Sequence, residues 1–259
     1  MKVINFLDLQ FYNYRYKTDT ISGIDKTILI CVNIVESSSP FTPTGVNWRG
    51  LLYRKAHLMA TQRLVLFIDA QNFYNGARRA FFADSDPHFY GQIKPMELGD
   101  LICSRRLPGH KAKLKEVRVY TGRPDSTKEP NTYAAHLKQC NIWDQAGVNV
   151  ITRTLRYPRD WPTSKAVQKG VDVAIAIDFV TLAIDEEYDL GVMASTDSDL
   201  TPALEFVRRR YRATRRIEVT AWTSPRTKSR LSIPGNNIWC NWLDLADYDS
   251  IADLTDYNI

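Results

Sequence analysis

The chain has 259 residues, 44% of them apolar and 11% aromatic, enough for a sizeable buried core and too apolar for a disordered polymer. Its net charge of +5 hides a division: residues 244–256 carry five aspartates and no Lys or Arg, which leaves +10 on the remainder. Four cysteines without a C-x-x-C and four histidines without an i, i+4 pair argue against a thiolate or imidazole zinc site, and such scattered thiols fit a reducing cytoplasm.

Residues 1–58 open on "MKVINFLDLQFYNYRYK", where Asp8 interrupts the only apolar patch and no small-residue cleavage site follows, so a secretory signal is not expected. One strand-like run, "ILICVNIV", leads into the linker-like "SSSPFTPTG". This stretch reads as an accessory N-terminal extension, with the compact domain spanning 59–243 and an acidic C-terminal segment at 244–259. That last segment offers a dock for a protein partner or a second copy of the chain, or a screen for the arginines.

From residue 63 the pattern alternates. Strands are expected at 63–68, 116–121, 148–155, 190–195 and 217–222, with an edge strand at 238–243. Helices fall at 73–82, 95–106, 129–147, 171–186 and about 201–211. The strands are continuous apolar runs rather than alternating ones, which indicates a parallel sheet covered on both faces: a three-layer α/β fold with a central, mostly parallel sheet. The longest apolar run, "VDVAIAIDFVTLAI", has fourteen residues and contains Asp172 and Asp178, too short and too charged to span a bilayer. No membrane association is expected.

In such sheets ligands gather outside the carboxyl ends of the strands. "FIDAQN" puts Asp69 there, with Asn72 three residues on; "ASTDSD" puts Asp197 and Asp199 there; and Asp172 opens a helix just after Gly170. A single aspartate after a strand is commonly a helix N-cap. With Pro202 as the first helical residue, however, Thr201 is the expected cap, and neither Asp197 nor Asp199 is needed for that role. Asp178 lies about 120° further round its helix and is expected to meet a basic side chain or solvent. Carboxylates without histidine or cysteine select a hard cation, Mg²⁺ or Mn²⁺, able to promote attack of water on phosphorus.

Cations cluster in "RRRYRATRR" (208–216), "RRLPGHKAKLKEVR" (105–118), "RTLRYPR" (153–159) and "RTKSR" (226–230), with tyrosines between them, a composition suited to nucleic acid. Arg208, Arg209 and Arg210 are candidate RNA contacts, although they equally suit a helix C-terminus.

The motifs "LFIDAQNFYN", "KGVDVAIAIDFVTLA" and "YDLGVMASTDSDLTPALEFVR" together resemble the NYN domain, a branch of the PIN-like nuclease superfamily, and its bacterial LabA-like members in particular. The resemblance covers about residues 62–222. It implies a Rossmann-like sheet and a metal-dependent ribonuclease site in which Asp69, Asp172 and Asp197 are the metal-binding acids and Asp199 a fourth, peripheral one. Asn72 corresponds to an asparagine that orients a ligand or water, and Ser195 to a small hydroxyl residue that bonds a phosphate or an acid; Lys169, just before Gly170, suits a phosphate contact and plain solvent exposure equally. Thr196 departs from the family's S-G-D-S-D form, so its turn must avoid glycine-only conformations. A haloacid dehalogenase-like phosphatase would need a second aspartate where Gln71 stands, and a toprim-type site would need a glutamate where Asp69 stands. The remaining rival is a non-catalytic RNA-binding or regulatory NYN module.

Overall fold

The computed structural model describes residues 61–106 and 111–258; the extension at 1–58 and the domain start at Met59 lie outside the described residues. Strand β1 (Gln62–Asp69) is buried along nearly its whole length, with Leu64, Val65, Leu66 and Phe67 at 0% exposure. Such a strand must be central and covered on both faces. It pairs in parallel with β2 (Ala112–Arg123) on one side and β4 (Leu190–Ala194) on the other. Beyond β2 lies β3 (Asn149–Thr154), and beyond β4 lie β5 (Arg216–Ser224) and β7 (Trp239–Leu243), all parallel. A two-residue strand β6 (Thr227–Lys228) turns back antiparallel on the end of β5, completing a seven-stranded sheet among the described residues.

Helices cover both faces. Val65 and Phe67 face a core shared with α4 (Val171–Ile184) and α5 (Thr201–Tyr211). Leu64, Leu66 and Ile68 face the other core, with α1 (Ala70–Phe81), α2 (Pro95–Ser104), Trp143 of α3 (Pro130–Gln145) and α6 (Leu245–Ile251). The result is the three-layer, Rossmann-like α/β architecture expected. The chain leaves β1 for β2 and β3 on one side and returns to β4 and β5 on the other, so a crevice opens at the carboxyl ends of β1 and β4. No helix among the described residues is long and apolar enough to cross a membrane.

Three departures from the sequence reading have local causes. Helix α1 starts at Ala70 rather than residue 73 because Asp69 caps it, accepting from the Asn72 N–H. Strand β2 begins four residues early, where "AKLKE" alternates like a half-exposed edge, and a register shift between Leu64 and Val65 absorbs one extra residue of β2. The acidic C-terminal segment contains helix α6, closed by a capping box in which Asp244 and Asp247 each accept the other's backbone N–H.

Gly170, immediately before α4, has φ of 79°, and a Cβ there would meet nothing within 4 Å. Its requirement is therefore purely conformational. Gly170→Ala should cost about 1 kcal/mol, read as a lower urea midpoint with an unchanged m-value.

Candidate metal centre

Three carboxylates meet in the crevice. Asp69, Asp172 and Asp197 each offer an oxygen within 4.8 Å of the others, Asp69 buried and the other two half-buried. Each stands at the start of a helical segment. Asp69 caps α1, Asp172 lies in the first turn of α4, and Asp197 caps a 3₁₀ turn (Ser198–Leu200) by accepting from the Asp199 N–H. This corrects the expectation that Asp197 is free of capping. The 3₁₀ turn fills the gap before α5, and Thr201 is the helix's own first residue rather than its cap. Asp199 is exposed and outside the group of three.

A layer of hydrogen bonds fixes the acids. The Ser195 hydroxyl donates to Asp69 Oδ2 at 3.3 Å and accepts the Asp197 N–H at 3.0 Å. Ser195 is 1% exposed, which ties its hydroxyl to the acid rather than to a phosphate. Asn72 Oδ1 accepts both the N–H and the hydroxyl of Thr196, at 2.9 and 3.0 Å. Thr196 thus stands where the family pattern has glycine, has no positive φ, and contributes a bond that glycine lacks. The sequence signal for this latch was the departure itself.

The position of α4, and with it Asp172, depends on a second group that the sequence reading missed. Arg118 and the fully buried Tyr120 both donate to Asp178 Oδ2 at 2.8 Å, joining β2 to α4, while Arg118 also pairs with Glu116. Asp178 therefore meets a basic side chain, as expected. The pairing was hidden because Arg118 reads as one more member of a cationic cluster.

That cluster is largely neutralised. Arg105 pairs with Asp247, Arg106 with the buried Glu218, and Lys115 with Glu187. The acidic segment is likewise engaged within the chain: Asp253 accepts from Tyr257, and Asp256 meets His88. Of its five aspartates only the exposed Asp249 takes no part in these bonds, so a dock for another chain gains no support from this segment.

Arg208, Arg209 and Arg210 occupy the last turn of α5. That helix starts beside Asp197 and runs about 16 Å toward the opposite edge of the sheet, where Arg216 lies opposite Leu190, the first residue of β4. The structure thus separates these arginines from the carboxylates. Residues 155–170, in contrast, connect the carboxyl end of β3 to the start of α4, and with the end of β2 and β3 they place exposed Arg123, Arg153, Arg156, Arg159, Lys165 and Lys169 at the site's own edge. Beside them Lys128 lies 4.5 Å from the Tyr157 ring centre, and Trp161 packs edge-on to Tyr157.

Acids at these strand ends, on this sheet, match a known family. A family model described as the NYN domain covers residues 63–232. The chain belongs to the NYN domain family. The NYN match spans every strand from β1 to β6, Asp69, Asp172 and Asp197 included. Comparison with curated proteins gives no match. Among solved structures, a protein of unknown function from Vibrio parahaemolyticus is similar over 62% of this chain and 81% of its own, with 17% identity and a TM-score of 0.42.

The NYN site suits a divalent cation by its donor set. It offers only carboxylate oxygens, and none of the ion pairs among the described residues involves Asp69, Asp172 or Asp197. Burial, partly offset by the Asn72 N–H, and then repulsion from Asp172 push Asp69 from 3.8 up to about 6. Asp172 is also raised, first by burial and then by Asp197 and Asp199.

A raised carboxylate pKa means that the folded state holds its proton more tightly than the unfolded one, so stability falls as pH rises from about 4 through about 6. Metal-free protein at pH 7.5 should therefore be stabilised by Asp69→Asn by roughly 1–3 kcal/mol, since asparagine still caps the helix. Near pH 4 the gain should vanish. Adding Mn²⁺ at pH 7.5 should raise the melting temperature of the wild type and leave that of the variant in place, as followed by differential scanning calorimetry.

Proposed function

We propose that this NYN protein, by its motifs a LabA-like one, is a ribonuclease that hydrolyses RNA phosphodiester bonds with Mg²⁺ or Mn²⁺, in a reducing cytoplasm to which its free thiols are suited. One observation carries the reading: carboxylates from the end of β1, the start of α4 and the turn after β4, three separate segments of the chain, bring their oxygens within 4.8 Å of one another. A binding module has no use for such mutual repulsion, which favours the enzyme over a non-catalytic RNA-binding or regulatory NYN module.

In this reading Asp69, Asp172 and Asp197 hold the cation, with Asp199 at the periphery. Bound there, a divalent ion activates water and offsets charge on phosphate oxygens. The protein's own contribution is positioning. Ser195 and the Asn72 N–H aim the two oxygens of Asp69, Asn72 and Thr196 lock α1 to the end of β4, and Arg118 and Tyr120 hold α4 in place. Arg153, Arg156, Arg159, Lys165 and Lys169 line the approach for the RNA backbone, and Tyr157 and Trp161 offer rings on which bases stack. Arg208, Arg209 and Arg210 are assigned no contact with the scissile phosphate.

Asp197→Asn keeps the oxygen that accepts the Asp199 N–H but loses the charge. It should lower cleavage by at least about 10²-fold on a mixed RNA panel with Mn²⁺, with circular dichroism and RNA affinity unchanged. Equal cleavage by variant and wild type would remove the site from the reaction. For the RNA path, reversing Arg153, Arg156 and Arg159 to glutamate should weaken binding and reduce the salt slope by about 0.7 for each phosphate of a single strand that is no longer neutralised. The same change at Arg208, Arg209 and Arg210 should leave the slope in place; the opposite pattern would route the RNA over the other edge.

A further inference from the structure

Next to the carboxylates, across the first turn of α1, lies a half-open cavity of about 200 Å³. Ala70 and Gln71, the two residues after Asp69, form part of its wall, and Tyr74, Gln92, Thr121 and Trp143 are among the polar and aromatic residues that line it. Among the described residues no charged side chain lines it. Among the described residues four buried side-chain polar atoms lack a hydrogen-bond partner, two on Arg106 and two on residues of this cavity, Gln92 Oε1 and Trp143 Nε1. Trp143 is only 7% exposed, so its N–H has no recourse to bulk water.

Natural folds pair nearly all such groups, and an acceptor and a donor left over on the wall of one cavity call for a ligand that presents the complement. With no charged side chain on it among the described residues, the wall does not favour a phosphate or a cation. Aromatic side chains and a volume below that of a drug-sized pocket select a flat, neutral ring system with both a donor and an acceptor on its edge. A nucleobase has that chemistry, and unstacked bases of single-stranded RNA are read in this way, by stacking and edge hydrogen bonds.

We propose that this cavity is a base-binding subsite for the nucleotide beside the bond to be cleaved, seated against Tyr74 and read at its edge by Gln92 Oε1 and Trp143 Nε1. It rests on the RNA-cleavage reading above, and it makes the enzyme selective for the base at that position. Ala70 and Gln71 belong both to the cavity wall and to the first turn of α1 that follows Asp69, which sets the cavity beside the carboxylates at the carboxyl edge of the sheet.

The test uses the full chain. Each of the four ribonucleoside monophosphates is titrated into ¹⁵N-labelled protein in EDTA, with the Trp143 indole signal assigned from Trp143→Phe, and cleavage of a randomised RNA is sequenced for wild type, Trp143→Phe and Gln92→Met. The indole signal should shift with some bases and not others. Both variants should lower the base preference next to the cut by roughly tenfold. An indole signal indifferent to all four nucleotides would overturn the proposal. So would variants that merely gain thermal stability, the result expected if the two polar atoms are only a packing defect, with base preference unchanged. Base-dependent shifts in a wild-type protein that cleaves nothing would uphold the subsite and remove the nuclease reading; cleavage indifferent to base would do the reverse.

Discussion

The molecule is organised around an electrostatic conflict: three carboxylates are packed within 4.8 Å, and burial of Asp69 makes the conflict worse. Left in a loop, such a group would relax by moving apart. Here it does not, because each acid is tied to the N-terminal end of a helical segment, where unsatisfied N–H groups and the aligned peptide dipoles favour negative charge. The same backbone groups that make the acids tolerable also fix their direction. Stability and site geometry are thus set by one arrangement, and the remaining repulsion is available to bind a cation.

Around that centre, groups without any charge chemistry of their own determine where the acids point. Ser195 bridges Asp69 and the Asp197 backbone, and Thr196 clasps Asn72 with two bonds. Further out, the buried Tyr120 and Arg118 anchor Asp178 more than one and a half turns along α4 from Asp172. Together with Val171 and Ile175, buried on the core face of the same helix, this distant anchor holds the azimuth of α4. The chain has thereby joined β1, β2, β4 and α4 into one rigid frame at the carboxyl edge, as a preorganised site requires.

Much of this was legible in the sequence. Continuous apolar runs such as "RLVLFI" announce buried parallel strands, and the placing of Asp69, Asp172 and Asp197 just past strand ends or at a helix start announces their meeting. What was illegible depends on pairing across the fold. Arg105, Arg106, Lys115 and Arg118 look like free cations in the chain and become halves of ion pairs only when Asp247, Glu218, Glu187 and Asp178 arrive from up to 142 residues away. Arg208, Arg209 and Arg210 sit close to Asp197 in sequence, yet one helix length carries them to the far edge. The 3₁₀ turn leaves no mark of its own in the sequence, because Pro202 signals the helix start and nothing before it signals a turn. The walls of the cavity come from segments far apart in the chain, and no periodicity links Gln92 to Trp143.

The register shift between Leu64 and Val65 carries a consequence of its own. Side chains of a strand alternate, so Asp69 shares a face with Val65 and Phe67, and its even-numbered neighbours belong to the opposite core. One residue more or fewer in β1 would swing the acid toward the hydrocarbon layer under α1, and Ile68 or Ala70 respectively would take its place before α4. Chemistry in this molecule is a matter of parity, and the irregularity in β2 lets the neighbouring strand adjust its count while β1 keeps its own.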